Sequence, residues 1–177
     1  MKISSRITWL GILFLIALEQ IIKVVINNNY LDKNIPLLPP LLYFKPMFNR
    51  DYSWINAMLQ LGVGKWLHIV LVAAMTILIY KFYEFISSQI VSSNAINVMF
   101  AFVFSGAVCS LIDKIFWNGS LDYIMLNGFF TFDLKDLYVN IFVALVILLM
   151  LINSKSIRKI EDKSLFSSFI KYIFHKV

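Results

Sequence analysis

Charge is scarce in this chain, and its scarcity excludes most soluble folds. Only 15% of the 177 residues are charged, 60% are hydrophobic, and the mean hydropathy is +0.78. A soluble domain carries about a quarter charged residues and could not cover this much apolar surface. The chain therefore reads as a membrane protein. A single cysteine, Cys109, excludes an internal disulfide, and its place inside an apolar run reads as a buried, unreactive thiol. There are two histidines, His68 and His175, and neither stands at metal-ligand spacing from the acids. The net charge is +6, with pI near 9.4, yet no run of Lys and Arg is interleaved with aromatics. That excess reads as membrane topology and contact with anionic lipid, not as nucleic-acid binding.

What is present is a set of four apolar stretches, at about 7–26, 66–83, 95–112 and 137–152. Each approaches the roughly 20 residues needed to cross a hydrocarbon core of about 30 Å. Helices are expected, because an open sheet edge in lipid leaves backbone groups unpaired. The first stretch contains Glu19, Gln20 and Lys23 and lacks a small-residue cleavage site, so it reads as a retained span and not a leader. The expected fold is an all-α membrane protein: a four-transmembrane-helix bundle at 1–153 with a small β-rich extracytoplasmic platform between spans 1 and 2. A monomer is expected, and no internal repeat is visible.

Basic residues set the orientation. Lys2 and Arg6 precede the first span, and Lys155, Arg158, Lys159, Lys163, Lys171 and Lys176 follow the last. The segment between spans three and four carries Asp113, Asp122, Asp133 and Asp136 against Lys114 and Lys135. Both termini are thus expected in the cytoplasm and the acidic loop outside. The outer loop at 27–65 holds all four prolines, and its pieces "LLPPLLYF" and "YSWINAML" read as short strands or a small platform. The tail, 154–177, places Phe166, Phe169, Ile170, Ile173 and Val177 at helical spacing among lysines, the pattern of an amphipathic helix on the inner surface.

The acids carry the chemistry. Asp113 ends the outward third span and Asp136 begins the inward fourth, 136 − 113 = 23 residues later, across "NGS" and "NGF" turn signals. Antiparallel helices lie about 8 to 10 Å apart, so inward-facing carboxyls at one depth come close to contact. Two close carboxyls at a low-dielectric boundary are expected to share a proton. Such a pair can hold a water, deprotonate it, and polarise a peptide carbonyl. Single interfacial acids more commonly cap helices or face headgroups. Gly106, Ser110 and Asp113 form a small-residue strip that permits close helix approach. Glu19 and Lys23 stand at i, i+4 in the outer half of span one, placed for mutual neutralisation or to floor the site.

In this order the motifs resemble those of the bacterial lipoprotein signal peptidases (signal peptidase II). "EQIIK" (Glu19, Gln20, Lys23) looks like the family's D-Q-x-x-K, and "NIPLLPPLLYFKPMFNRDYSW" resembles the stretch around N-x-G-A-A-F, with Asn49 at the asparagine and Trp54 at the aromatic. "SGAVCSLIDK" is similar to G-G-A-x-G-N-x-x-D-R, with Asp113 at the first catalytic aspartate. "SLDY" looks like V-V-D-F, putting Asp122 at a structural acid, and "FDLKD" resembles F-N-x-A-D, putting Asp136 at the second catalytic aspartate. The resemblance runs to about Ile152. Departures are Glu19 for Asp, Ser110 for Asn, Lys114 for Arg, Asp133 for Asn, Lys135 for Ala, and Asp51-Tyr52-Ser53 for the small run.

The resemblance implies an aspartyl endopeptidase of the bacterial cytoplasmic (inner) membrane, with its site at the outer face. It would remove signal peptides from prolipoproteins before a diacylglyceryl-modified cysteine. Asp113 and Asp136 would activate water. Asn49, Gln20, Lys23, Glu19, Ser110, Lys114, Asp122 and Asp133 would support the site or position substrate. Membrane lipids would be its other partners, and no metal or cofactor would be needed. Rival readings are a Ser–Lys peptidase built on Lys23, whose nearest serines lie on the inner side, a two-carboxylate cation site, and a non-catalytic adaptor that binds lipoproteins or their precursors. A presenilin-like site is excluded by the absence of a G-x-G-D run.

Overall fold

The computed structural model describes residues 5–89, 94–152 and 164–175. Helix α1 spans Ser5–Asn29. Strands β1 (Ile35–Leu38) and β2 (Leu42–Asn49), the short helix α2 (Trp54–Leu59) and α3 (Lys65–Gln89) follow. Helix α4 (Asn94–Ile112) runs on through a π-helical turn, Asp113–Trp117, into β3 (Ser120–Leu126) and β4 (Phe130–Phe132). Helices α5 (Leu134–Ile152) and α6 (Ser164–His175) complete the chain.

Among the described residues, three helices are long and apolar enough to cross a membrane: Arg6–Asn29, Lys65–Ser88 and Asn94–Trp117. They are runs of Leu, Ile, Val, Phe and Ala, whose backbone groups are all paired inside the helix, as lipid requires. The expected fourth span corresponds to α5, whose 19 residues reach about 28 Å at 1.5 Å per residue. It stands outside that group of three, and its crossing belongs to the topology proposed below.

Helix α4 is central and packs on α1, α3 and α5. The small-residue strip explains one of these contacts. A Cβ added at Gly106 would lie 2.9 Å from Val139 Cγ2 and 3.2 Å from the Lys135 carbonyl oxygen, so α5 approaches α4 across a glycine. On the α1 side, the buried Ser105 hydroxyl donates to the Ile12 carbonyl at 3.5 Å. At the end of the bundle away from the sheet, rings do the packing. Tyr83 and Phe100 stack at 3.9 Å, and Phe169 of α6 sits 5.2 Å from Phe82 and 5.4 Å from Phe85. Residues 164–175 of the tail are helical, with Phe169 buried and Phe174 exposed, while Phe166's side chain, Val177 and residues 154–163 lie outside what is described.

The four strands pair antiparallel in the order β1-β2-β3-β4. This corrects the expectation of a platform made only between spans 1 and 2, since half of the sheet comes from the segment between α4 and α5. Pro46 sits where the β2–β3 register shifts between Phe44 and Met47, a place that needs no ladder N–H. Also corrected is "YSWINAML", where capping overrides the strand signal of its aromatic and branched residues. Ser53 Oγ accepts from the Asn56 N–H at 3.2 Å, and the Asn56 amide then ties Asp51 and Val63 together, at 2.7 and 3.1 Å. Ile26, Leu121 and Tyr123 form the apolar core that anchors the sheet to α1.

Candidate active site

Four segments send charge to one place at the sheet end of the bundle. From α1, Glu19 and Lys23 face inward one turn apart, with Lys23 Nζ 3.1 Å from Glu19 Oε1. Asp113 opens the π-helical turn, a widened turn of the kind found at functional sites. That turn ends at Asn118 in the left-handed region, followed by Gly119 at φ +145°, where a Cβ would collide with the Asn49 carbonyl. The close approach sets Asn49 opposite Ser120 in the β2–β3 pair. Along β3 the two-residue period then puts Ser120 and Asp122 on one face and the core residues Leu121 and Tyr123 on the other.

The start of α5 is fixed by a reciprocal cap. The Asp136 N–H donates to Asp133 Oδ1 at 3.3 Å, and the Asp133 N–H donates to Asp136 Oδ2 at 3.2 Å. This is a capping box with aspartates at both positions, favoured by the helix dipole. "FDLKD" therefore serves as a helix start and a source of acids together.

Two lysines knit the acids. Lys23 Nζ lies 2.5 Å from Asp113 Oδ2 and 2.7 Å from Asp133 Oδ2. Lys135 Nζ lies 3.0 Å from Asp113 Oδ2 and 3.7 Å from Asp122 Oδ1, and it pairs with Asp133. Ser120 sits at the hub: its hydroxyl accepts from Lys135 Nζ at 2.7 Å and is 2.6 Å from Asp122, 3.1 Å from Asp113 and 3.2 Å from Asp133. It has one proton to give, so it donates to one of the three at a time. Glu19, Lys23, Asp113 and Asp133 have no exposed surface, and burying such charges is tolerable only because they are paired. Burial pushes the Asp122 carboxyl above the usual carboxylate range, against the pull of Lys135. Burial acts the same way on Asp133, but there Lys135 and Lys23 win and hold it at about 2.

Beside this cluster opens a cleft of about 760 Å³. Asn49, Ser110, Lys114, Ser120, Asp122, Lys135 and Asp136 give it a polar wall, and Val72, Phe130, Phe132 and Leu137 an apolar one. Of the expected site residues, Asn49, Ser110, Lys114, Asp122 and Asp136 thus line the cleft. Asp113 is reached through Ser120 and Lys135, and its Oδ1 is buried without a hydrogen-bond partner. No hydrogen bond joins Asp113 to Asp136 among the described residues. Asn49 Nδ2 donates to Asp122 at 3.4 Å, Lys114 Nζ donates to Ser110 at 2.9 Å, and Gln20 accepts from the Trp117 indole at 3.0 Å.

Sequence reasoning missed Ser120 as the hub and Tyr123, whose hydroxyl donates to Glu19 at 3.2 Å and accepts from the Leu134 N–H at 3.1 Å. The alternation in "SLDY" was the available signal for Ser120, because it shares a strand face with Asp122. Ser53 and His68, 3.2 Å apart, also line the cleft. Oxygens of Asp122, Asp133 and Asp136 lie within 4.8 Å of one another, the one such trio among the described residues. The Lys135 ammonium already supplies positive charge to Asp122 and Asp133 of that trio.

A helical membrane protein with a small antiparallel sheet over a cleft of acids and lysines is thus the class defined by fold and site. The profile of the signal peptidase (SPase) II family matches residues 11–152, and the chain belongs to that family of peptidases, which act in lipoprotein signal-peptide cleavage. No curated protein matches it. Its fold is similar to that of a bacterial membrane enzyme solved by the in meso method at 2.3 Å resolution, with TM-score 0.70 and 19% identity, covering 88% of this chain and 93% of the other. A second bacterial membrane enzyme structure, at 1.9 Å, gives TM-score 0.69 and 20% identity over 86% and 97%.

Proposed function

We propose that the chain is an aspartyl endopeptidase that cuts prolipoproteins immediately before the lipid-modified cysteine, with Asp113 and Asp136 as its working pair. In this reading the chain crosses the membrane four times, α5 included, with both termini in the cytoplasm, a side supported by their basic residues, and with the cleft at the outer boundary. Water held between the two carboxyls loses a proton to one of them while the other donates a hydrogen bond to the scissile carbonyl. The tetrahedral intermediate then collapses with proton transfer to the leaving nitrogen. The products are a signal peptide ending in a carboxylate and a mature protein beginning with the modified cysteine. Lys23 and Lys135 hold Asp113 Oδ2, Asn49 and Lys114 line the path of the substrate backbone, and the apolar wall takes the diacylglyceryl chains.

The observation that carries this reading is the Asp113 carboxyl. One of its oxygens lies within reach of two lysines and a serine, the other, Oδ1, is buried with no hydrogen-bond donor on it, and two of those partners, Lys135 and Ser120, line the cleft together with Asp136. The test is processing of a diacylglyceryl-modified precursor by the parent chain and by Asp113→Asn and Asp136→Asn, with each variant's folding checked separately. The parent is expected to cut, and each variant to lose about 10³-fold in kcat/KM. Equal processing by all three would remove the pair from the mechanism. Binding of several precursors by the parent without cleavage would favour the adaptor reading.

A further inference from the structure

A second concavity, of about 670 Å³, opens among α3, α4 and α5 nearer the α6 end of the bundle. Val72 of α3 and Ser110 of α4 line the cleft, and along the same helix faces Met75 and Val103 line the groove. It runs between α3 and α5 over the face of α4, with Phe100 on its floor, and is apolar throughout save for the hydroxyl of Tyr83, which is spent on Asn97 at 2.9 Å. Its far end is occupied by Phe169 of α6, which is buried and packed on Phe82 and Phe85. Helix α6 lies beyond the 11–152 stretch that matches the family profile.

We propose that the groove seats the apolar helical segment of a precursor and that α6, through Phe169, closes its inner end and limits the length of segment accepted. The proposal rests on the peptidase reading above and names the part of the substrate that the groove holds. A precursor cut in the cleft must leave it toward the bilayer interior on the amino side of the scissile bond. Inside lipid that stretch has to be helical, because its backbone can find partners nowhere else. The groove lies in that direction, on the same faces of α3 and α4 that line the cleft. From Val72 to Ile86 is 86 − 72 = 14 residues, or about 21 Å of helix, which sets the reach from cleft to Phe169. A longer apolar segment drives its amino end into the Phe169 ring.

Two readouts test this. Precursors with zero, two or four extra leucines at the amino end of the apolar segment are cut by the parent and by Phe169→Ala. Four residues add about 6 Å. The parent is expected to lose about tenfold in kcat/KM from the shortest to the longest, and Phe169→Ala, taken against its own rate on the shortest, to lose less than about threefold. The same length dependence in both chains would overturn the proposal. Independently of cleavage, a photoreactive residue at the amino end of the precursor's apolar segment is expected to crosslink within 164–175 of the unaltered chain. Crosslinking to lipid alone would show that acyl chains fill the groove and would overturn the proposal. Crosslinking there without any cleavage would instead leave the groove standing and overturn the peptidase reading.

Discussion

The two ends of this bundle are held together by opposite means. At the sheet end, Lys23 and Lys135 bind acids drawn from α1, the π-helical turn, β3 and the start of α5, all buried. At the α6 end the contacts are rings: Phe82, Phe85, Tyr83, Phe100 and Phe169. At the ring end, trimming one side chain costs that ring's own contacts and strands no charge. The charged end differs, since removing one ion strands its partners in a low-dielectric site. The charged end is therefore specified by residue identity and the ring end by volume.

The largest break of this contrast is Lys23→Met, which leaves Glu19, Asp113 and Asp133 short of a cation. A loss of about 4 kcal/mol in reversible unfolding is expected, and Lys23→Met combined with Asp133→Asn should be milder than Lys23→Met alone. A double variant worse than the single would contradict the shared-cation account. At the ring end, Phe85→Ala removes a side chain 2% exposed and should cost about 3 kcal/mol, with α6 becoming open to protease while the sheet end keeps its protection. Simultaneous loss of both ends would deny that they are separable. The smallest effect comes from acid. Asp133 is held at about 2 against an ordinary 3.8, so its depressed value contributes stability above pH 3.8 that drains away as pH falls toward 2. That contribution is on the order of 2 kcal/mol. Asp133→Asn should flatten the stability curve across that window, and an unchanged curve would show that Asp133 is not bound as described.

Much of this was legible in the chain. The apolar stretches located α1, α3, α4 and α5, and the small-residue strip located the α4–α5 contact at Gly106. Glu19 and Lys23 read as a pair because one helical turn separates them. What was illegible was reach: Lys23 meets Asp113 across 90 residues, and no local pattern encodes that. Strands β3 and β4 are seven and three residues long, too short to announce a sheet that completes only against β2. Helix α2 was hidden by its aromatic and branched residues, because the Ser53 cap that decides it is a single hydroxyl. Lys135 showed as a lysine where the family has alanine, and its contacts with Asp113, Asp122 and Ser120 depend on β3 lying beside it.

The most direct measurement is a double-substitution cycle on the carboxyl pair, read as kcat/KM on one lipid-modified precursor. If Asp113 and Asp136 work on the same water, Asp113→Asn and Asp136→Asn each lose about 10³-fold, and the double variant falls no further than either single. Losses that multiply, or an Asp113→Asn chain that still cuts at the parent's rate, would contradict the account.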